Sequence, residues 1–509
     1  MDQKWGRPSA SGKLRGMIVA LLLAANLAAD LQEIARLPGE PSVVAAAGVT
    51  AADQSIPTIE NRSAFDPESP RRRLVIVGAR TGDEACAAMV ADLVRWLKTQ
   101  APPQLRQAWD VSAVPSPTFD PGDEASMVRW LRFQAADVVV NVTVDGGVDP
   151  AVAAAGVANA LHIRAGQAGA RDALEQGLRR FAQGPSSLAI RRRVARDPLA
   201  IARLLAPKYP GTPAISYIPS IAWANTLTLA RLTNDASLRT KVEQQTAPWR
   251  TGDKELFGER IQLTSVAGTF VFGELGARDI VAKGIDAASK VKDGDVYEYG
   301  QGWTDDMFMA TVVLARNGRA GLASRMLVAY ASRLQRPDGL FNHATNGPAA
   351  WGRGNAFAAL GLAEALGAAS ADDPNRARVL AIYRRQMDAV RGVQAPDGMW
   401  NEVLDEPGSY REESATAMLL TAMARGIRAG WLDQSFRAPV ERAWRGVAAH
   451  VADDGTIVDV CTSTGVGPTR RYYLDRAAVT GADDRGGAMA LMAAIEIDEL
   501  RHAPAVAAQ

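Results

Sequence analysis

The sequence predicts a mainly α-helical protein in which an (α/α)6 barrel is preceded by a small α/β domain. Three observations lead to this prediction. Strand-like segments are confined to the chain before residue 180, residues 186–500 read as successive helices separated by loops, and one loop motif recurs within that stretch. With 47% hydrophobic and 22% charged residues, the 509-residue chain can bury a large core without disulfides or metals.

The charge balance and the cysteine and histidine content exclude several classes of function. A net charge of +1 gives no basis for a nucleic-acid or other polyanionic partner. The two cysteines, Cys86 and Cys461, lie too far apart in sequence to suggest a disulfide framework or a zinc site, and the four histidines are scattered. We therefore expect no zinc site and no histidine-based metal cluster.

Residues 1–29 have the order of a secretory signal peptide. Lys4, Arg7, Lys13 and Arg15 precede the apolar run GMIVALLLAANLAA, which is too short to span a bilayer comfortably. A frayed N-terminal helix is the alternative interpretation. Export of this kind would make the protein periplasmic or secreted, with no integral membrane span after cleavage.

Residues 30–70 are rich in Pro, Ala and Ser and lack a sustained period, which is typical of a linker. The pattern changes at residue 71. RRRLVIVGARTGDEACAAMVADLVRWLKTQAP reads as a buried strand, a Gly turn and an amphipathic helix, and WLRFQAADVVVNVTVDGG reads as a helix and then a strand. Residues 71–180 are therefore predicted to form a small α/β domain without a catalytic role.

One turn of this α/β domain, GARTGDEA, distantly resembles the G-x-H-G-x-E turn of zinc carboxypeptidases. Glu84 stands in the position of their glutamate ligand. Thr81, however, replaces the histidine ligand, and no second histidine follows at a suitable place. The resemblance therefore implies a degenerate or purely structural domain rather than a metal site.

The helical part, residues 186–500, carries a repeated loop. RPDGLFNHA, APDGMWNEV and ADDGTIVDV place Asp338, Asp397 and Asp454 about sixty residues apart, a period that two helices and their loops fill. Each repeat is thus a helical hairpin followed by a short extended turn, and the stretch has room for five to six hairpins. Six that close on themselves form an (α/α)6 barrel, whose inner helices can be apolar all round, as DDMFMATVVLA is. An open helical solenoid is the structural alternative.

Six segments of the helical part follow one another in order: WTDDMFMATVVLARNG, GLFNHA, AWGRGNAFAALGL, DGMWNEVLDEPGSYREESATAMLLTAMARGIRAGWLD, DGTIVDVCTSTG and YYLDRAAVTGADDRGGAMALMAAIE. Together they resemble one enzyme family, the unsaturated glucuronyl and rhamnogalacturonyl hydrolases of glycoside hydrolase families 88 and 105. The resemblance covers about residues 255–500 and identifies the chain as a divergent member. It implies an (α/α)6 barrel whose mouth is lined by these segments.

The resemblance also implies a substrate and a reaction. The family's substrates are oligosaccharides whose terminal uronic acid carries a C4=C5 double bond left by a polysaccharide lyase. The enzyme hydrates this bond: a proton is added at C4, water is added at C5, and the resulting hemiketal opens to release the sugar. One carboxyl group can give the first proton and take one from water if burial holds its pKa near the working pH. No cofactor is needed.

The family match assigns roles to individual residues. Asp305, in WTDDMFM, matches the proton-donating aspartate; alternatively, Asp305 and Asp306 are helix-start carboxylates favoured by the helix dipole, pointing about 100° apart. Trp351 would offer a sugar-stacking surface at the barrel mouth, and Arg353 a clamp for the substrate carboxylate. The other substrate-binding candidates, for several of which capping or packing is the alternative, are His343, Asn355, Glu413, Ser414, Tyr473 and Asp484.

Two departures from the family pattern bear on the reaction. In QLTSVAGTFVFGEL, Leu263 stands where a second aspartate is usual, with only Gln262, Thr264 and Ser265 nearby. The usual Gly-Trp after the Asn of RGN is Ala-Phe here. The first change puts the pKa tuning of the proton donor in doubt, and the second alters a stacking platform.

These departures leave two alternative functions open. One is a glucuronidase-like hydrolase of saturated uronides that uses a carboxylate pair, for example Asp305 with Glu413 or Asp484. The other is a non-catalytic carbohydrate-binding protein, in which the loops keep stacking residues but no acid reaches a sugar.

Overall fold

The computed structural model of the chain describes residues 27, 29–49, 55–61, 63, 69–79, 83–115, 127–128, 130–131, 134–157, 159–182, 189–292, 294–395, 397–406, 409–476 and 478–503. The chain divides into two compact units, one formed mainly by residues before 187 and the other mainly by residues after 186. Apart from residues 27 and 29, the predicted signal peptide lies outside the described residues. Within those residues, no helix is long and apolar enough to cross a membrane.

The first unit is built on a six-stranded sheet with the strand order β1-β2-β4-β3-β5-β6. Strands β4, β3, β5 and β6 run parallel to one another, and β2 runs antiparallel to β4. The strands are β1 Ser42–Val49, β2 Ser55–Asn61, β3 Arg72–Val77, β4 Trp109–Val114, β5 Val138–Thr143 and β6 Ala160–Arg164. The helices with defined bounds are Glu84–Thr99, Pro103–Ala108, Pro150–Ala155 and Ala170–Phe181.

Both faces of this sheet are covered, because alternate residues of one strand enter two separate apolar clusters. Leu74 and Ile76 pack in one cluster, and Val75 and Val77 pack in the other. Strands buried on both faces read as continuous apolar runs, which is why LVIV in β3 is recognisable as a buried strand.

The prediction that residues 30–70 form a linker is wrong. The segment contains a helix over residues 29–36 and the strands β1 and β2, which extend the sheet beyond β4. The sequence of β1, SVVAAAGV, is rich in small residues and shows no alternation between apolar and polar side chains. An edge strand of this composition has no period-2 signal from which it could be predicted.

The second unit is an (α/α)6 barrel, which confirms the predicted fold class. Six hairpins follow one another, and in each of them an outer helix precedes an inner helix. Inner helices 1 to 6 are Tyr217–Thr233, Leu263–Ala267, Asp306–Met309 continued by Thr311–Arg316, Gly352–Ala368, Glu413–Arg428 and Asp484–His502. The outer helices, in the same order, are Pro198–Leu205, Ala236–Arg250, Arg278–Ala288, Ala320–Leu334, Arg376–Gly392 and Arg437–His450.

The inner helices form a closed ring, in which inner helix 6 contacts both inner helix 5 and inner helix 1. They are buried almost all round, because the outer helices cover them; inner helix 4, for example, carries no polar face. Gly361 lies where this helix crosses inner helix 3. A Cβ atom at Gly361 would approach the carbonyl oxygen of Met307 to 1.8 Å, so only glycine permits this close crossing.

The three predicted Asp-Gly loops connect outer helices 4, 5 and 6 to the inner helices that follow them. In each loop the aspartate side chain accepts a hydrogen bond from the backbone N–H two residues later: Asp338 from Leu340, Asp397 from Met399, and Asp454 from Thr456. The intervening glycines all have a φ between 78° and 98°. The repeat seen in the sequence is therefore a recurring Asx turn that returns the chain to the N-terminal end of the inner ring.

The opposite end of the barrel, where the inner helices terminate, carries a network of ion pairs. Arg316 contacts both oxygens of Glu364 at 2.9 and 2.7 Å, and Arg425 joins Glu364 to Glu496. Arg428 extends the network through a 2.9 Å contact with Glu496. The network thus ties inner helices 3 to 6 together at their C-terminal ends.

Candidate active site

Asp305 and Asp306 lie at the start of inner helix 3 and point in different directions, as the helical offset predicts. Oδ2 of Asp305 lies 3.0 Å from Nε2 of His343, and the Asp305 side chain is 18% exposed. Asp306 is 2% exposed and directs its Oδ2 toward the O–H of Tyr330, at 2.8 Å. Only Asp305 is therefore accessible to a bound molecule without rearrangement.

His343 is held by hydrogen bonds at both of its ring nitrogens. Its Nδ1 lies 3.0 Å from the hydroxyl of Tyr473, which accepts a long hydrogen bond from the N–H of Gly467. A neutral imidazole satisfies this chain: Tyr473 donates to Nδ1, and the Nε2–H donates to Asp305. The backbone carbonyl of His343 also accepts from the N–H of Thr304, which fixes the two loops to each other. His343 was predicted to contact the sugar, but its side chain is fully buried and lies against Asp305 instead.

Asp305 opens onto a cleft with a volume of about 290 Å³. Asp305, Asp306 and Met309 line it from the start of inner helix 3, and the other lining residues come from the start of inner helix 2 and from the segments that precede inner helices 2 and 3. The wall residues are Arg260, Ile261, Gln262, Leu263, Thr264, Tyr299, Gln301 and Trp303. The cleft therefore combines two carboxyl groups, of which only that of Asp305 is more than slightly exposed, with one cation, two aromatic rings and several neutral hydrogen-bonding groups.

Asp306 is a buried carboxyl group beneath this cleft. Burial raises its pKa to about 6, while hydrogen bonds from Tyr330 and from the N–H groups of Gly302 and Trp303 oppose the shift. A Cβ atom at Gly300 would lie 2.5 Å from Oδ2 of Asp306, so the backbone approaches this carboxyl closely. Asp306 therefore serves to fix the 300–303 loop that carries part of the cleft wall.

The predicted positions of Trp351 and Arg353 at the barrel mouth are wrong, because both side chains are 2% exposed. Trp351 packs against the ring of His343, with 4.6 Å between centroids, and donates its Nε1–H to Glu402 at 3.0 Å. Arg353 donates to the carbonyl oxygen of Cys461 and to the hydroxyl of Ser414, at 2.9 and 3.2 Å. Both side chains thus support the site through contacts within the protein and do not face a ligand.

Asn355 and Ser414 are likewise used inside the protein. Asn355 accepts from the N–H of Phe341 and donates to its carbonyl oxygen, so the amide clamps the segment that leads to His343. Ser414 donates to Glu412, whose carboxylate caps inner helix 5. A role in substrate binding is therefore not supported for either residue, and their positions correct that prediction.

Glu413 and Asp484 do not face the cleft either. Glu413 is fully buried, neither of its oxygens has a hydrogen-bond partner among the described residues, and burial raises its pKa well above the usual range. Asp484 accepts from the N–H groups of Gly211 and Thr212 at 2.7 and 3.1 Å. Neither carboxylate is placed to share a substrate with Asp305.

Sequence reasoning missed most of the cleft wall. In the sequence, Gln262 and Thr264 stand out only as neighbours of the missing second aspartate, yet both line the cleft. Arg260, Tyr299 and Gln301 carry no motif, and no local pattern distinguishes them from other loop residues. Their shared position just before an inner helix was the one signal that could have identified them.

Comparisons with known proteins show what this chain is similar to. Residues 331–500 match the family described as Glycosyl Hydrolase Family 88. The Unsaturated rhamnogalacturonyl hydrolase YesR of Bacillus subtilis is 30% identical over 183 residues, which cover 33% of this chain and 51% of that protein. An Unsaturated 3S-rhamnoglycuronyl hydrolase of an Alteromonas species is 28% identical over 113 residues, covering 22% of this chain and 27% of that protein. The chain thus spans about half or less of the length of these two relatives, and the resemblance predicted from the sequence is confirmed.

Solved structures support the fold. A possible member of the GH105 family from Klebsiella pneumoniae superposes with a TM-score of 0.54 at 18% identity, covering 63% of this chain and 96% of that one. A family 105 glycoside hydrolase from C. acetobutylicum gives a TM-score of 0.52 at 18% identity, covering 58% of this chain and 99% of that one. At these identities the likeness shows the barrel architecture alone.

Proposed function

Since residues 331–500 match Glycosyl Hydrolase Family 88, we propose that the protein removes a terminal unsaturated uronic acid from lyase-derived oligosaccharides by hydrating its C4=C5 double bond. The observation that carries the proposal is the placement of Asp305, a partly exposed carboxylate at the floor of a cleft, oriented by His343. The printed names of the matched relatives, which are unsaturated uronyl hydrolases, support the substrate class.

In the proposed reaction Asp305 acts first as an acid and then as a base. Its carboxyl proton is transferred to C4, which leaves positive charge at C5, next to the ring oxygen. A water molecule then attacks C5 and gives a proton to the Asp305 carboxylate, which regenerates the acid. The C5 hemiketal opens to a ketone by breaking the C5–O5 bond, and the hemiacetal left at C1 releases the sugar.

The hydrogen bond from His343 supports this double role. Because the imidazole occupies Oδ2 of Asp305, Oδ1 remains to exchange the proton with the substrate and with water. The fixed imidazole also prevents the carboxylate of Asp305 from turning away from the cleft. The side chain therefore loses less conformational freedom when the substrate binds.

Arg260 is the proposed partner of the substrate carboxylate. It is the one cationic side chain among the residues that line the described cleft, and it lies on an exposed wall. Tyr299 and Trp303, on neighbouring positions of the same cleft, offer ring faces for the sugar. This arrangement replaces the predicted roles of Arg353 and Trp351 with residues that a ligand can reach.

The principal test is hydrolysis of lyase digests of pectin, ulvan and glycosaminoglycans, followed by the loss of the ultraviolet absorbance of the double bond. Asp305→Asn keeps the shape of the side chain and removes its proton, so we expect kcat to fall by about 10²- to 10⁴-fold. Asp286→Asn, at a carboxylate that is 74% exposed on an outer helix, is the matched control and should leave the rate unchanged.

Three results would contradict the proposal. Asp305→Asn could retain full activity, the enzyme could cleave saturated glucuronides and leave the double bond intact, or it could bind oligosaccharides without turning over any of them. The second result would indicate a glucuronidase-like enzyme, and the third a carbohydrate-binding protein.

Substitution of Arg260 tests substrate recognition separately. A charge-assisted hydrogen bond is worth about 1.5–3 kcal/mol, so Arg260→Gln should lower kcat/KM by about 10- to 100-fold. Arg250→Gln, at an exposed outer-helix arginine, is the control. Equal kinetics for the two variants would show that the substrate carboxylate binds elsewhere.

We also propose that the protein is exported to the periplasm or secreted. The support is the order of basic and apolar residues within residues 1–29. Cell fractionation of the full chain and of a variant lacking residues 2–29 tests this. Recovery of both forms in the cytoplasm would refute it.

A further inference from the structure

A groove opens at the end of the barrel opposite to Asp305, where inner helices 3, 4 and 5 terminate. It has a volume of about 710 Å³, which lies within the range of small-molecule sites and is more than twice that of the cleft at Asp305. The last turns of these three helices, the start of outer helix 5 and the loop after inner helix 5 line it. The space suits a ligand of more than one sugar unit.

The floor of the groove consists of small residues at the end of inner helix 4, and an indole ring lies beside it. Among these residues Gly367 is exposed, and a Cβ atom added there would lie 3.7 Å from Cη2 of Trp431. Trp431 is only partly buried, and Tyr383 packs at right angles to its ring, with 6.0 Å between centroids. A fixed aromatic ring next to an open floor offers apolar surface for the C–H groups of a sugar.

One guanidinium group of the groove is held in place by hydrogen bonds but makes no ion pair. Nη1 of Arg376 donates to the carbonyl oxygens of Leu366 and Ala369, both at 2.8 Å, and these two residues also line the groove. Its Nε and Nη2 are accessible to solvent and have no hydrogen-bond partner among the described residues. In the same part of the chain, no carboxylate pairs with Arg376. The side chain therefore keeps two free donors in a fixed position.

The free edge of Arg376 is the edge with which Arg316, in the same groove, binds a carboxylate. Nε and Nη2 of Arg316 contact the two oxygens of Glu364 at 2.9 and 2.7 Å. These two nitrogens lie side by side in a guanidinium group and match the spacing of carboxylate oxygens. Arg425 and Arg428, which also line the groove, are paired with glutamates. Arg376 is thus the arginine of this groove that can bind a carboxylate from outside the chain.

We propose that this groove binds an oligosaccharide that contains uronic acid, with the carboxylate of one sugar on Nε and Nη2 of Arg376 and a neighbouring sugar ring against Trp431. It is a second carbohydrate site, separate from the cleft at Asp305 and located at the other end of the barrel. The choice of a uronate as the acidic sugar rests on the proposed function, whose substrates carry this group.

Isothermal titration of the full chain with trigalacturonate tests the proposal, with maltotriose and inorganic sulfate as comparison ligands. Trigalacturonate has no double bond, so the proposed reaction does not consume it. Gly367→Gln obstructs the groove, because its Cβ makes only an ordinary contact with Trp431 and the rest of the side chain occupies the open space. Gly392→Gln is the matched control, at an exposed helix end where an added Cβ has no atom within 4 Å. Arg260→Gln accounts for uronates that enter the cleft at Asp305.

We expect trigalacturonate binding to persist in Arg260→Gln and in Gly392→Gln. It should weaken about tenfold or more in Arg376→Gln, which removes the charged fork, and in Gly367→Gln, which fills the groove. Arg376→Gln also disturbs the hydrogen bonds at the end of inner helix 4. Gly367→Gln leaves those bonds in place, so it keeps the test valid if Arg376→Gln does not fold.

Several outcomes would overturn the proposal. They are no trigalacturonate binding by the wild type, binding that is lost in Arg260→Gln, and binding that is unchanged in Gly367→Gln. Equally tight binding of maltotriose would show that the carboxylate plays no part, and equally tight binding of sulfate would show a simple anion site. Failure of the proposed hydrolase activity would leave these results unaffected, because the titration requires no turnover.

Discussion

Replacing Asp306 by asparagine should stabilise the protein at neutral pH and remove part of its pH dependence. Burial raises the pKa of Asp306 from its usual 3.8 to about 6. Between these values the folded protein retains a proton that the unfolded chain has released. The contribution of Asp306 to the free energy of unfolding is therefore largest below pH 4 and falls as the pH rises to 6.

The size of the effect follows from the pKa difference. A shift of two units corresponds to about 3 kcal/mol at 1.36 kcal/mol per unit. The asparagine side chain would have no charge to bury, and its single carbonyl oxygen can occupy the position of Oδ2, which accepts the three hydrogen bonds from Tyr330, Gly302 and Trp303. The variant should thus gain up to about 3 kcal/mol over the wild type between pH 4 and pH 7.

Differential scanning calorimetry of both proteins at pH 4 and at pH 7 measures this difference, with Asp286→Asn as an exposed control whose difference should not change with pH. The reasoning is refuted if the wild type becomes more stable relative to Asp306→Asn as the pH rises. That result would mean that the three hydrogen bonds hold the carboxylate ionised and that they outweigh its burial.

Three further predictions concern buried charges of the barrel. Arg353→Lys should lower the free energy of unfolding by about 1–3 kcal/mol, because it removes buried hydrogen bonds. Arg470→Lys, at a half-exposed site, is the control and should not change this free energy measurably. Equal melting temperatures of the two variants would contradict the supporting role of Arg353. Burial raises the pKa of Glu402 to about 8. Glu402→Gln should therefore become progressively more stable than the wild type as the pH rises from 4.5 to 8. A difference in melting temperature that does not change with pH would argue against this. Burial also acts on Glu364, but its two arginine partners lower its pKa to about 2. Glu364→Gln should therefore melt below the wild type at pH 7, with a gap that closes toward pH 2; a gap that persists there would place the stabilisation elsewhere.

The barrel could be predicted from sequence because its repeating unit leaves a local signature. The turns at Asp338, Asp397 and Asp454 each require an aspartate and a following glycine at positive φ, so the same residues recur at each return of the chain. Strands β1 and β2 were missed because nothing local requires their pairing. Strand β2 takes its place in the sheet by pairing with β4, which lies about fifty residues away in sequence, and β1 takes its place beside β2.

The candidate site was only partly predictable for a related reason. Asp305 and His343 could each be singled out by a motif, but their contact with each other appears only in the structure. The motif around Arg353, however, does not reveal whether its side chain faces the lumen or the layer behind it, since an inner helix is surrounded by protein on nearly every side. Whether such a residue meets a ligand depends on neighbours from other hairpins, here Cys461 and Ser414.

Buried carboxyl groups at the two ends of the inner ring include ones whose pKa values are shifted in opposite directions. At the N-terminal end, burial raises the pKa of Asp306 and of Glu413, although a helix N-terminus by itself favours the charged form. At the C-terminal end, arginines keep Glu364 ionised in spite of its burial. The opposite pH trends expected for Asp306→Asn and Glu364→Gln follow from this difference, because burial alone favours the protonated form of Asp306, whereas two arginine partners favour the ionised form of Glu364.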